Sequence, residues 1–313
     1  MIPLSHIRAR AGVGNLGDLL SPLIVAAFTG RAVRFVPSTW PGARLAAIGT
    51  IGQKQRLGTV DLWGTGFAGR GDAFRVAHDW RRPRVTRLVP HALRGPFSAA
   101  MLRAAGLDAQ GPFGDPAVLL PRLWPGEGVA KRHELGVFLH ITETGAAAPD
   151  AGPRPEFRRY AVPEPWQRAV LVRPMHVTAS LEGLRARVED ILACRRVLST
   201  SLHALVLAEA YGIPCAVFDF HPGAEARVAP DDDTLPLDHR MRDFYAGAGA
   251  PAVPVFRTER HLETRWEEAI RFIDTHWAPL RLDGDALLGR WPARHGAVRE
   301  APLREGLEAL LPF

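Results

Sequence analysis

The sequence predicts an α/β protein with parallel sheets, built as two Rossmann-like halves. Three observations carry this. Short apolar runs alternate with longer helical stretches along most of the chain, the rhythm of strands joined by covering helices. The rhythm is clearest after residue 166, where strand, helix, strand, helix and strand follow in turn. The 313 residues are enough for about two domains with full-sized cores. The boundaries expected are 1–130 for the first Rossmann-like domain and 131–285 for the second. A tail, 286–313, is expected to be helical in part and to pack back on the first domain.

In order, Leu16–Phe28 reads as a helix entered from the turn GVGNLGD. Strand-like runs follow at Val33–Val36, Leu45–Ile48, Thr59–Trp63, Phe74–Val76 and Val85–Val89. Pro96–Ala105 is a small helix closed by Gly106 in the C′ manner. Ala117–Leu120 and Glu134–Ile141 read as strands, and the Pro-, Gly- and Ala-rich stretch 144–166 as an irregular loop. Ala169–Val172 is a buried strand. Ser180–Ala193 is an amphipathic helix with Leu181, Leu184, Val188, Ile191 and Leu192 on one side. A strand at Arg196–Leu198, a helix at Leu202–Tyr211, a strand at Cys215–Phe220 and a helix at His261–Trp277 complete the pattern.

Composition narrows the function. The longest clean apolar run, Leu19–Phe28, already contains Ser21 and Pro22, well short of the ~20 residues of a membrane span. The N-terminus lacks the apolar stretch of a signal peptide. A cytoplasmic location is therefore expected. The two cysteines, Cys194 and Cys215, sit inside apolar patterns and support neither a disulfide framework nor a cysteine zinc site. Net charge is +6, a sign that favours anionic partners. Nearly all of the positive charge is arginine, for the chain has only Lys54 and Lys131 as lysines. These arginines are scattered, without the dense cluster of a nucleic-acid footprint, so no nucleic acid is expected. A basic surface is compatible with loose peripheral attachment to an anionic membrane.

Metal sites are not expected either: Asp231–Asp233 lacks the spacing of a calcium loop and no histidine pair has ligand spacing. No Gly-x-Ser-x-Gly or Walker-type sequence is present.

In parallel sheets, ligands bind beyond the carboxyl ends of strands, so motifs just after strands matter most. Asn15-Leu-Gly-Asp18 stands at a helix entry, where one side chain caps the helix and the other stays free. Asn15 is the only asparagine in the chain. Ser199-Thr200-Ser201-Leu-His203 follows a strand and opens a helix, a credible anion site because free N–H groups and the dipole favour phosphate or carboxylate there. The same dipole disfavours a charged His203, so a nearby anion is needed for it to hold a proton. Arg94 stands just before a helix and suits a bidentate grip on an oxyanion. Trp63-Gly-Thr-Gly66 closes a strand with a glycine-rich turn, and Gly114-Asp115-Pro116 reads as a turn. His140 ends a strand and can face a cleft. Glu209, near the far end of its helix, faces either the cleft or solvent.

The order of these segments resembles the polysaccharide pyruvyl transferase family. The resemblance rests on N-L-G-D-L-L (Asn15–Leu20), W-G-T-G (Trp63–Gly66), R-G-P-F-S (Arg94–Ser98), G-D-P-A-V-L-L-P (Gly114–Pro121), S-L-H (Ser201–His203), A-E-A-Y-G-I-P (Ala208–Pro214) and R-D-F-Y (Arg242–Tyr245), over roughly residues 10–275. It implies a fold like that of the GT-B glycosyltransferases, two Rossmann-like domains facing a cleft. It also implies transfer of a pyruvyl group from phosphoenolpyruvate, the donor substrate, with no cofactor. The acceptor would be a hexose in a lipid-linked or polymeric bacterial exopolysaccharide repeat unit, and the location the cytoplasm or the face of the inner membrane. On this reading His203 is the general acid or orients the donor, Asp18 is a base, and Asn15 positions. Arg94, Ser199, Thr200, Ser201 and His140 contribute to substrate binding, and Glu209 holds a hydroxyl by analogy with the fold. Several relatives carry an arginine where this chain has Ser201, so its part passes to another cation, with Arg94, Arg173 and Arg195 as candidates. The family's glycine-rich turn after the third strand is altered to Ile48-Gly-Thr-Ile-Gly52. Two alternatives use the same fold: a glycosyltransferase taking a sugar nucleotide, and a catalytically idle binding protein.

Overall fold

The structure is a computed structural model describing residues 1–68 and 80–313. The strand expected at Phe74–Val76 lies outside the described residues. The first part of the chain runs β1 (Ile2–Ser5), β2 (Val13–Asn15), α1 (Leu16–Thr29), β3 (Val33–Phe35), β4 (Arg44–Ala46), β5 (Thr59–Trp63), β6 (Arg87–Ala92), α2 (Pro96–Ala104) and α3 (Leu120–Leu123). The second begins β7 (Leu135–Leu139), β8 (Val170–Pro174), β9 (His176–Thr178), α4 (Leu181–Leu192), β10 (Val197–Ser199), α5 (Leu202–Ala210) and β11 (Cys215–Asp219). It ends β12 (Ala226–Val228), α6 (His239–Gly247), β13 (Val253–Arg257), α7 (Trp266–His276) and α8 (Gly284–Gly289).

Two sheets result. The first has the order β3-β1-β4-β5-β6 and is parallel throughout. The second has the order β12-β13-β11-β10-β7-β8, parallel except for the antiparallel edge β12. The protein is therefore α/β with parallel-strand sheets, compatible with a Rossmann-like fold. In each sheet the chain steps outward from one central strand and returns to its other side. The switch points lie between β1 and β4 and between β7 and β10, where α/β sheets open a crevice for ligands. A short antiparallel ribbon, β2 with β9, ties the entry to α1 onto the second half by pairing Asn15 with His176.

The helices that follow the switch-point strands are the most buried. α1 carries Leu19, Leu20, Leu23, Ile24 and Phe28 in the core, and α5 is buried from Leu202 through Glu209. A helix apolar on every side belongs between layers. One apolar cluster accordingly joins residues of both sheets, from Leu4 and Leu20 to Leu205 and Val255. Asn15 caps α1 and Gly30 ends it in the left-handed region at φ 63°, so this helix keeps the bounds its local signals predict to within a residue.

Two expected elements differ. The strand expected at Ala117–Leu120 is a 3-10 turn, Pro116–Leu119, running into α3. Asp115 caps it through Ala117 N–H at 3.0 Å, and Pro116 fixes a helical φ at its first position. The helix expected from His261 begins at Trp266. The tail forms 3-10 turns and irregular backbone after α8 and lies along the first half: Arg299 and Leu303 N–H groups reach Phe28 and Ala27 carbonyls, and Trp63 Nε1 donates to Leu287.

Candidate active site

Loops from both switch points line one cleft of about 270 Å³, bounded by Asn15, Asp18, Thr50, Lys54, His140, Ser201, His203 and Arg240 among others. A second cavity of about 170 Å³ adjoins it through His140 and Arg240 and reaches Glu143, Thr200 and Asp219. The N-termini of α1 and α5 meet at the first cleft, so two helix dipoles point into one space.

At α1, Asn15 is extended and its Oδ1 accepts the Gly17 N–H at 3.2 Å. The sole asparagine is thus a helix cap whose side chain also borders the cleft. Asp18, one turn in, is half-buried and has no hydrogen-bond partner among the described residues. Burial pushes its carboxyl up to about 6, against the pull of His203, Lys54 and Arg240. It therefore changes charge near neutral pH, as a general base requires.

At α5, the hydroxyls divide the work. Ser199 Oγ donates to the Phe138 carbonyl at 2.7 Å and accepts the Ser201 N–H at 2.9 Å, fixing the turn. Thr200 Oγ1 accepts the His140 N–H at 2.7 Å. Ser201 holds the cap position, yet its hydroxyl caps nothing, which leaves the first-turn N–H groups open beside the cleft. His203 packs its ring on Gly17, where a Cβ would fall 1.9 Å from Nδ1, so only glycine admits the imidazole at this place. His203 Nε2 faces Asp115 Oδ2 at 3.5 Å.

His140 Nδ1 bonds Thr142 Oγ1 at 2.7 Å, and Arg240 Nη1 approaches its Nε2 at 3.4 Å. Burial, followed by Arg240, lowers the imidazole to about 4, so at neutral pH it is an uncharged acceptor for the arginine. Arg240 is gripped by Asp238 through Nε and Nη2, the closest contact 2.7 Å. The Lys54 side chain, on an exposed residue of the cleft, has no hydrogen-bond or ion-pair partner among the described residues.

Five of the residues expected from sequence thus border this cleft: Asn15, Asp18, His140, Ser201 and His203. Thr200 borders the adjoining cavity, and Ser199 shapes the turn from below. Arg94 is elsewhere. Fully buried, it pairs with Asp243 at 3.1 Å and donates to Thr50 Oγ1 at 2.6 Å. The oxyanion before α2 is this internal carboxylate, which also accepts the Phe97 and Ser98 N–H groups at 3.0 Å each. Glu209 is sealed near the other end of α5, ~12 Å along the helix from Ser201. Its oxygens accept from Tyr245 at 3.1 Å, Cys215 at 3.2 Å and Trp277 at 3.1 Å. Burial pushes it up to about 7. Arg173 is exposed and lies 3.7 Å from Asp190, and Arg195 is exposed against Glu134.

The cations of the cleft, Lys54 and Arg240, went unread in the sequence. Lys54 carries the same compositional signal as Asn15, being one of two lysines, and it follows the altered glycine turn. Arg240 stands two residues before the R-D-F-Y segment. Asp115, read as a turn residue, is the third omission.

Glu209 gives a clean structural control. Glu209→Ala removes the shared acceptor of the buried Tyr245 and Cys215 and the half-buried Trp277, and a loss of about 2–4 kcal/mol is expected in urea denaturation. Ligand affinity measured on the folded variant should stay at the native value.

Among the described residues no helix is long and apolar enough to cross a membrane, and no group of three or more His, Cys, Asp or Glu is placed to hold a metal. Compared with models of known protein families, with curated proteins and with solved structures, the chain finds no match.

Proposed function

We propose that the protein is a transferase that moves a pyruvyl group from phosphoenolpyruvate to two hydroxyls of a hexose, forming a pyruvate ketal. The observation that carries this reading is the convergence of the N-termini of α1 and α5, the second without a side-chain cap, with Lys54 and Arg240 on a cleft that also holds Asp18 and His203. A small ligand with a phosphate and a carboxylate suits the cations and N–H groups. The carboxyl and imidazole suit a reaction that needs one proton given and one taken. In this reading the two sheets belong to a GT-B-like pair of Rossmann-like domains, and the acceptor is a lipid-linked or polymeric saccharide.

His203 gives a proton to the methylene carbon of phosphoenolpyruvate, which leaves a cation at the carbon bearing the phosphate ester. Asp18 takes the proton of the first sugar hydroxyl as its oxygen bonds to that carbon. The second hydroxyl then displaces phosphate, and its proton leaves with the phosphate. Lys54, Arg240 and the α5 N–H groups would hold the donor's charges through these steps, doing the work that the family gives to the arginine absent at Ser201. Binding of the acceptor falls to the adjoining cavity at Thr200 and His140.

A thermal-shift titration tests the donor. Phosphoenolpyruvate at a hundred times its Kd should stabilise the fold by about 2.7 kcal/mol, and the shift should vanish in His203→Ala. A shift with UDP- or GDP-sugars and none with phosphoenolpyruvate would replace this reading with that of a glycosyltransferase. No shift with either, in a folded protein that turns over neither donor, would leave an idle fold.

A further inference from the structure

His203 stands in the first turn of α5, and an acid lies behind its ring, away from the cleft. Asp115 Oδ2 and His203 Nε2 lie 3.5 Å apart, and both are sealed from solvent with no hydrogen-bond partner. Two buried polar atoms left so are costly unless they serve each other. Such contacts are often long in an empty site and shorten once ligand binds.

Both partners are held in place. Asp115 Oδ1 is committed to the Ala117 N–H at 3.0 Å, which fixes the carboxylate as the cap of the Pro116–Leu119 turn. The imidazole is clamped on Gly17 of α1. Its Nδ1, unlike Nε2, is not sealed, and it bonds to nothing among the described residues. The other titratable groups acting on the ring are Asp18 from α1 and His140 from the loop after β7. Among the described residues Asp115 is the one acid within ion-pair reach of it.

We infer that Asp115 is a positioning residue: it holds a proton on Nε2 of His203 and thereby presents Nδ1 to the cleft as the atom that exchanges protons with substrate. When the ring is doubly protonated, the Nδ1 proton is the one given up, and Asp115 balances the charge from behind. The catalytic part of this rests on the pyruvyl-transfer reading, whereas the location of the proton does not.

Asp115→Asn is the decisive variant. Its oxygen must stay on the Ala117 N–H, so its amide nitrogen faces Nε2 and offers a proton there. Ring ¹⁵N NMR should show neutral His203 protonated on Nε2 in the native protein and on Nδ1 in Asp115→Asn. Turnover of phosphoenolpyruvate should fall on the order of 10²–10⁴-fold in kcat, with KM changing only a few-fold. An unchanged tautomer in the folded variant, or a flipped tautomer with native kcat, would overturn the inference. Should the asparagine variant fail to fold, Asp115→Ser keeps a capping oxygen and removes the partner of Nε2. It should populate both tautomers, and a ring still protonated on Nε2 alone would equally overturn the assignment. A tautomer that flips as expected in a protein that does not use phosphoenolpyruvate would sink the functional reading and leave Asp115 in its role.

Discussion

Replacing Arg94 by methionine is expected to cost about 3–5 kcal/mol of folding stability, the penalty of leaving a buried carboxylate without its partner. Both side chains of the Arg94–Asp243 pair are 1% exposed, so water cannot take the place of the guanidinium. The pair also joins distant parts of the chain. Asp243 belongs to α6, and its Oδ1 accepts two N–H groups at the start of α2, while Ser98 Oγ donates to Oδ2 at 2.6 Å. Gly95 lets the helices approach this closely, since a Cβ there would fall 1.7 Å from the Asp243 carbonyl oxygen. Chemical denaturation measures the loss. Removing both charges, Arg94→Met with Asp243→Asn, should cost less than the sum of the single changes, because neither charge is then stranded. The contrasting role, a cation gripping phosphoenolpyruvate, makes the opposite forecast: Arg94→Lys would keep its stability and lose donor affinity. Retained stability in Arg94→Met would exclude the internal role.

This residue shows where sequence reading stops. A guanidinium before a helix N-terminus announces an anion, but not whose. Here the anion comes from 149 residues away in the same chain, and only the fold brings it there. Glu209 fails for a related reason. α5 is buried on all sides, so no polar face exists from which to infer a direction. What was legible is local. The Asn15 cap, the hydroxyl-rich entry to α5 and the strand at Thr59–Trp63 depend on neighbours in sequence, and each appears where its residues put it. The strands that escaped notice are short or carry proline: Pro3 lies in β1 and Pro254 in β13, while β2 and β9 have three residues each and exist only as each other's partner. The cleft itself was foreseeable by rule, as the end of parallel strands, whereas Lys54 reaches it from a 3-10 turn and Arg240 from the first turn of α6, and Asp115 stands behind His203 just before the Pro116–Leu119 turn, none with a periodicity to read.

On the pyruvyl-transfer reading Asp18→Asn should cut turnover sharply, and above pH 6 it should make the protein more stable. The two effects share one cause. The folded carboxyl titrates at about 6, raised from 3.8 chiefly by burial. A group raised in this way binds its proton more tightly in the folded state than in the unfolded one. Its favourable contribution is complete below pH ~4 and is lost as pH rises through 6, because above that pH the fold must carry an ill-solvated charge. Asparagine never ionises and escapes this loss. After allowance for solvent at a half-buried site, a gain on the order of 1–2 kcal/mol is expected at pH 8, with little difference at pH 4. Urea titrations of both proteins at the two pH values measure it. On the pyruvyl-transfer reading activity should move the other way: with Asp18 no longer able to take the proton of the incoming hydroxyl, kcat should fall on the order of 10²–10⁴-fold. In the native protein kcat should rise with pH through about 6 as Asp18 ionises. An asparagine variant as active as the native chain would remove Asp18 from the chemistry. One that is also less stable at pH 8 would mean that the carboxylate is held by the fold rather than strained by it. A charge that the fold would be more stable without, at the meeting point of two helix N-termini, marks Asp18 as a candidate for contact with a ligand.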